Sequence, residues 1–321
     1  MRSYTTLRNL YGQFTNNTST ENLAIGDGYI NDSIRTIATK RTGKWTWLEA
    51  TKTVATVASQ TQYQIPNPIR KVVSLTITVS TMPYTPTPIY DPNAWNRILE
   101  SRLGSSDVPL FYYIYDGKVD IQPIPATNGN TITFRGRINL KDLSIADYTT
   151  GTIVSIANGA TAVVGSGTTW TADMVGRYIR IAETSAANGG DNEWYEIGSY
   201  TSATSIGLLK PYQGTSIVAG TATYTIGQMS PIPESYDILP VYRAAALYWD
   251  NQRDSNQAKS YWLKYDGGME AGLSRQIGGL MAQMIDEASA TVEGAYISPN
   301  QISGRFDPNN PEPTVGAGSF I

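Results

Sequence analysis

Pro109-Leu110-Phe111-Tyr112-Tyr113-Ile114-Tyr115-Asp116-Gly117-Lys118-Val119-Asp120-Ile121-Gln122-Pro123-Ile124 reads as a β-hairpin. Phe111, Tyr113 and Tyr115 alternate on one side, and Val119 and Ile121 lie on the return strand. Asp116-Gly117 supplies the type I′ turn, whose two central residues both need positive φ. The same period of two extends outward. Arg70 to Val79 sets Val72, Ser74, Thr76 and Thr78 against Val73, Leu75, Ile77 and Val79, a strand with one apolar face. Thr131 to Ile138 adds another strand. Between them, Met82 to Pro88 holds Pro83, Pro86 and Pro88 and is expected to be an irregular arm or loop. Asp91-Pro92 is a helix start, a cap followed by proline at the first helical position, with Trp95, Ile98, Leu99 and Arg102 at helical spacing.

Upstream, the period is helical. Leu7, Leu10, Tyr11 and Phe14 fall at i, i+3, i+4 and i+7. Thr18 and Glu21 read as a capping box opening a second helix, whose buried stripe is Ile30, Ile34, Ile37 and Ala38. Arg35, Lys40, Arg41 and Lys44 crowd its end, where cations complement the helix dipole. Trp45 and Trp47 then open the strand-forming stretch that leads to Gln60-Thr61-Gln62-Tyr63-Gln64-Ile65-Pro66.

Downstream of Tyr148 the composition changes. Residues 149–228 are dominated by Thr, Ser, Gly and Ala and carry only eight charges. Short strands are expected at Thr152–Ile156, Ala162–Val164, Tyr178–Ile181, Trp194–Ile197, Ser205–Leu208 and Ala222–Ile226. Trp170, Met174, Val175, Tyr178, Ile179, Trp194, Tyr195 and Ile197 supply their core, as in a small sandwich or barrel. Helix returns at Pro233, through Leu239, Tyr242, Ala246 and Trp249, then Ala258, Tyr261, Trp262 and Tyr265. Leu273, Ile277, Leu280, Met281 and Met284 continue the pattern, and from Glu287 the Pro-, Gly- and Asn-rich chain reads as an extended tail.

The class is therefore α+β, in the order helix, sheet, β unit, helix. The expected division is a first domain part at 1–148, an inserted all-β domain at 149–228, returning helices at 229–286 and the tail at 287–321. An insertion needs its ends close together. A mass of 35.0 kDa is comfortable for two domains.

The 321 residues include neither histidine nor cysteine, so there is no imidazole base and no thiolate nucleophile, thiolate metal site or disulfide. This composition points to a non-enzymatic protein without a cofactor. Charged residues make up only 16%, a low surface charge that suits a chain partly covered in an assembly. Charge is unevenly spread. Residues 1–148 carry 15 cations against 11 anions, 149–228 carry 3 against 5, and 229–321 carry 6 against 11. No segment is basic enough to read as a duplex-binding module, while a basic and an acidic end suit head-to-tail stacking. Met1 to Leu10 lacks the apolar run of a secretory signal, and nowhere do 18 apolar residues run together.

Motifs for chemistry are weak. Gly165-Ser166-Gly167 lacks the third glycine and the following helix of a dinucleotide loop. Glu193 and Glu196, three apart on a strand, face opposite sides. Asp250 and Asp254 lack the further oxygen ligands a cation needs. Tyr112, Tyr113 and Tyr115, with Tyr261, Trp262 and Tyr265, are candidates for subunit contacts, because rigid amphipathic rings favour interfaces. Phe306 and Phe320 of the tail join them.

The order of short signatures resembles the head–tail connector, or adaptor, proteins of tailed bacteriophages. The pieces are Lys44-Trp45-Thr46-Trp47-Leu48, Tyr63-Gln64-Ile65-Pro66, Lys71-Val72-Val73-Ser74-Leu75 and the hairpin. Pro233-Glu234-Ser235-Tyr236 and Ala258-Lys259-Ser260-Tyr261-Trp262 complete it, so the likeness spans about 1–140 and 230–285. The resemblance implies a structural virion protein, made in the host cytoplasm and placed at the head–tail junction. It implies a homo-oligomeric ring, commonly a dodecamer, that docks on the portal protein, offers the tail its attachment site and passes double-stranded DNA without sequence-specific binding. It implies no membrane contact. Asp250, Asp254 and Asp266 are the expected channel-lining residues, since an acidic wall lets the phosphate backbone slide. Two alternatives stand beside it: a tail or receptor-contacting protein gripping carbohydrate through Trp170 or Trp194, and a peptidoglycan hydrolase using Glu193 or Glu196. An exposed tryptophan in a groove would favour the first, and a buried one would not.

Overall fold

The computed structural model describes residues 1–40, 45–101, 103–183, 190–218, 220–269 and 276–293. Helix and sheet are mixed, with several sheets, as expected for an α+β chain. Three buried clusters organise them.

The first cluster is helical and draws on both ends of the chain. Helices α1 (Tyr4–Phe14) and α2 (Thr20–Thr39) bury Leu7, Tyr11, Ile30, Ile34 and Ile37 against Leu239, Val241 and Ala244 of α4 (Leu239–Asn251). Ala244, Ala245 and Ala246 are fully buried, and such small side chains let helices approach closely. Gly26 serves the same purpose: a Cβ there would meet the Tyr11 ring at 2.3 Å. The cap of α2 is Ser19, one residue beyond the expected Thr18, and its Oγ accepts from the Asn22 N–H at 3.2 Å. The Asn17 side chain holds the Ser19 N–H at 3.0 Å, a local turn that places the helix start one residue later. Neither Trp45 nor Trp47 lies in a strand. Trp45 precedes a 3-10 turn at Thr46–Leu48 that contains Trp47, and the Trp45 indole donates to the Ile37 carbonyl. The tryptophans thus anchor the chain on α2, and β1 (Glu49–Ala55) begins just after them.

The second cluster is a two-sheet sandwich. Strands β2 (Gln62–Gln64), β3 (Ile69–Val79), β4 (Met82–Tyr84) and β5 (Thr87–Ile89) precede helix α3 (Pro92–Glu100). Then come β6 (Phe111–Tyr115), β7 (Lys118–Gln122) and β8 (Thr131–Ile138). The sheets run β1-β8-β3-β4 and β2-β7-β6-β5. Leu75, Ile77, Ile132 and Phe134 share a core with Tyr63, Tyr112, Val119 and Ile121. Asp116 and Gly117 both have positive φ, as a type I′ turn requires. Met82 to Pro88, expected to be irregular, contributes strands β4 and β5 at the two sheet edges, where a proline without an N–H is tolerated. Val73, expected on the apolar face, is 57% exposed because the register of β3 slips between Val72 and Ser74. Each extra residue of a bulge shifts the side-chain alternation that follows it.

The third cluster is the β unit. Strands β9 (Thr152–Ser155), β10 (Ala162–Ser166), β11 (Tyr178–Ile181), β12 (Trp194–Ser202), β13 (Ser205–Leu208) and β14 (Tyr224–Gly227) form one sheet in the order β14-β11-β12-β13-β10-β9. Bridges Ile153↔Ala222 and Ile156↔Ile217 join β9 to the segment that leads into β14, so the sheet curls until its edges meet. Trp170 fills the interior and donates from its indole to the Tyr224 hydroxyl at 2.9 Å. Val175, expected in this core, is 44% exposed, because it follows the 3-10 turn Ala172–Met174 whose buried residue is Met174.

Entry to and exit from the β unit are stitched to the amino terminus. The Tyr4 N–H donates to the Gln228 carbonyl, and the Ser3 hydroxyl, which also caps α1, donates to Asp147 at 2.7 Å. The Asp147 N–H donates to Thr5, and Gln228 Oε1 accepts from the Ser144 and Ile145 N–H groups.

After α5 (Ser255–Asp266), Ile277, expected to continue the helical pattern, lies in a strand instead, and Leu273 lies outside the described residues. Gly267 takes φ of 80° and ends the helix, and β15 (Gly267–Met269) pairs with β16 (Gln276–Gly278). Helix α6 (Leu280–Glu293) follows. The expected tail start at Glu287 therefore falls inside a helix, because 280–293 has no proline and is rich in helix formers. Residues 294–321, with Phe306 and Phe320, lie outside the described residues.

Candidate interaction surface

The hairpin and α3 build one surface of the sandwich. Tyr113 stands opposite Asp120, which stands opposite Gln62, so the three share the outer face of their sheet. Helix α3, capped by Asp91, lays Trp95 on that face, stacked on Tyr113 at 5.6 Å, and Tyr115 continues the stack at 5.5 Å. Tyr112 points the other way, into the core. Asp120 is thereby only 6% exposed, and its Oδ1 has no hydrogen-bond partner. Burial raises its pKa above the usual 3.8, an effect that contacts with Thr61, Gln62, the Ile121 N–H and Trp95 only partly offset.

Exposed apolar side chains gather on the same stretch of chain. Met82, Tyr90, Leu99, Leu103, Leu110 and Ile114 all fall within residues 82–114, and Tyr90 is 86% exposed. They are neighbours in the chain, and Ile114, which pairs with Val119, lies on the other face of its sheet from Tyr113.

The second predicted aromatic group sits on α5. Tyr261 donates to the Phe14 carbonyl and packs against the Phe14 ring, while Lys264 lies over the Tyr261 ring at 4.8 Å. Trp262 donates to Asp250 at 2.9 Å. Tyr265 is buried in the helical cluster, where burial pushes its hydroxyl up to about 12. The hairpin and α5 groups pack in different clusters and do not form one site.

The three predicted lining carboxylates each have a partner. Asp250 accepts from Trp262, Asp254 caps α5 through the Gln257 N–H, and Asp266 pairs with Lys40 at 3.1 Å. Asp250 and Asp266 are exposed. Asp237 is nearly buried beside Arg2, and burial raises its pKa more than Arg2 lowers it. It is one of the charged residues that sequence reasoning did not single out. Its only sequence signal, an acid following the capping stretch at Pro233, is shared by many surface residues.

Among the described residues, no group of three acidic side chains could hold a metal ion. None of their helices is long and apolar enough to cross a membrane. A groove of about 420 Å³ runs between β1 and β2, lined by Val54, Ala55, Val57, Gln60, Tyr63, Gln64, Ile65, Pro66 and Asn67. No carboxylate or cation lines it, and the Tyr63 hydroxyl is held by the Val57 and Gln60 backbone. Trp170 is buried, and Trp194 is half-buried beneath the Arg180 guanidinium, 4.7 Å from its ring. Neither ring is a bare platform for a sugar.

Residues 2–158, just under half of the chain, match a protein-family model described as SU10 adaptor protein. The match takes in α1, α2 and the whole sandwich, including residues 82–114, and stops just beyond β9. Helices α4 to α6 lie outside it. No curated protein matches the chain.

Proposed function

We propose that this chain, whose residues 2–158 match the SU10 adaptor family model, is a phage adaptor protein and forms the ring joining portal to tail. Such a family is structural, and membership implies a place in the virion and contacts with portal and tail proteins. In the proposed assembly, copies contact one another head to tail through a heterologous interface, which closes into a ring of twelve. The exposed residues of 82–114 and the outer rings of Tyr113 and Tyr115 form one side of that interface. This concentration of exposed apolar side chains inside the family-matched region is the observation that carries the reading.

The β unit at 149–228 is proposed as an insertion carried on the outside of the ring. The shared helical core of the two chain ends and the short distance between Tyr148 and Ile226, which exchange backbone hydrogen bonds, support it. Asp250, Asp254 and Asp266 are proposed to line the channel, and residues 294–321 to engage the portal or a neighbouring copy.

Mass photometry and negative-stain microscopy of the purified chain, with and without its portal, test the reading. A ring on the portal is the expected result. A chain that stays monomeric beside the portal, or is absent from the head–tail junction of intact particles, overturns it.

A further inference from the structure

The sheet β1-β8-β3-β4 buries one face in the sandwich and turns the other to solvent, and that outer face is crowded with cations. Lys71 stands directly opposite Arg137, and Ser74 opposite Arg135. The crowding is produced by two bulges in β3. The register slips between Ile69 and Lys71 and again between Val72 and Ser74, so two residues of β3 oppose one of β8 at each place. The first slip puts Arg70 beside Lys71 opposite Arg137, and the second puts Val73 beside Ser74 opposite Arg135. All six residues are exposed. Lys71, which regular alternation with Leu75 and Ile77 would send to the core face, therefore joins the solvent face.

Like charges directly opposite one another on a sheet destabilise it. Here four cations share two register positions. The carboxylate beside them is Glu49, which takes Arg135 at 2.7 Å. Among the described residues, Arg70, Lys71 and Arg137 have no ion pair. The remainder of the face is a hydroxyl array, with Thr51 opposite Arg135 and both Thr53 and Thr76 opposite Thr133. Cations with Ser and Thr hydroxyls are the donors that hold nucleic-acid phosphates. A protein partner would want apolar anchors and little lysine. Val73 is the one large exposed apolar side chain among these positions.

We infer that this face binds the phosphate backbone of double-stranded DNA, without reading its sequence, through Arg70, Lys71, Arg135 and Arg137. The adaptor reading bears on it only in saying where duplex DNA is met. An acidic wall lets DNA slide, whereas these cations would hold it, so the face acts as a grip.

The test is fluorescence anisotropy of the full chain with a short random-sequence duplex across a salt series, for wild type and for Arg70→Gln, Lys71→Gln and Arg137→Gln. The expected result is binding that weakens linearly in log–log form with salt, each substitution lowering the slope by about 1. Arg137→Lys should keep the slope, and Lys259→Gln on α5 should not change it. The inference is overturned if the triple glutamine variant keeps the wild-type slope. It is equally overturned if the chain ignores DNA, and a changed oligomeric state of the same variant would then make the face a contact between copies. Ring formation on the portal is scored separately. Loss of the ring with the salt slope intact would sink the adaptor reading and leave the grip standing.

Discussion

The helical cluster and the β unit are built on opposite plans. The helical cluster joins Leu7 and Tyr11 near one end of the chain to Leu239 and Met284 near the other. The β unit closes its core entirely between Tyr148 and Ile226. Each β strand there meets partners a few tens of residues away, while the helices must close a loop of more than two hundred. Loop-closure entropy grows only slowly with length, so both plans are thermodynamically accessible. They differ in what each can lose.

That difference can be broken most severely by deletion. Removing residues 229–321 should strip α1 and α2 of their packing partners and abolish their helical signal by circular dichroism. Excising 150–225 and joining Thr149 to Ile226, which bridges Tyr148, should leave the helical signal and its melting intact. If the excised chain loses its helices as well, the two plans are not independent.

Trp170→Ala comes next. It removes a fully buried ring and its bond to Tyr224, and large aromatic truncations cost about 3–5 kcal/mol. Calorimetry should show the β unit melting earlier while the helical transition stays in place.

Gly26→Ala probes the other plan. The new Cβ would press on the Tyr11 ring at 2.3 Å, and overpacking of this kind costs about 1–3 kcal/mol. Urea unfolding followed by helical ellipticity should report the loss, with the β unit unaffected.

Ser3→Ala acts where the two plans meet. It removes the cap of α1 and the bond to Asp147, for a loss of about 1 kcal/mol. Here both transitions should shift, because Ser3 joins α1 to the segment entering the β unit.

The smallest effect is a pH dependence in the sandwich. The folded pKa of Asp120 lies above 3.8, so the folded chain binds its proton more tightly than the unfolded chain. The penalty is complete above the folded pKa and fades as pH falls through it toward 3.8. Wild type should therefore gain stability relative to Asp120→Asn on acidification from neutral pH. A constant difference between the two across that range would show that Asp120 does not titrate with folding.

Legibility in the sequence followed these plans. In the β unit, Tyr178–Ile181 and Ser205–Leu208 have the expected bounds, since alternation and turn residues act locally. The hairpin Phe111–Gln122 was equally readable, because Asp116-Gly117 determines its turn. The misreadings lie where distant packing overrides a local pattern. Trp45 and Trp47 look like a strand until α2 offers its carbonyl, and Met82 to Pro88 looks irregular until two sheet edges accept it. Of the candidate contact residues, Tyr113 and Tyr115 occupy the surface, whereas Tyr112 and Tyr265 are buried, a distinction no single residue type carries.

By itself the sequence determined the α+β class, the three compositional regions and the absence of imidazole and thiol chemistry, because period, turn residues and composition act over a few neighbours. Only the tertiary structure decided that both chain ends share one core and that α3 hides Asp120. Only it decided that two bulges gather Arg70, Lys71, Arg135 and Arg137 on one face. Those outcomes depend on which strands pair and in which register, and register is set by contacts between residues far apart in the chain.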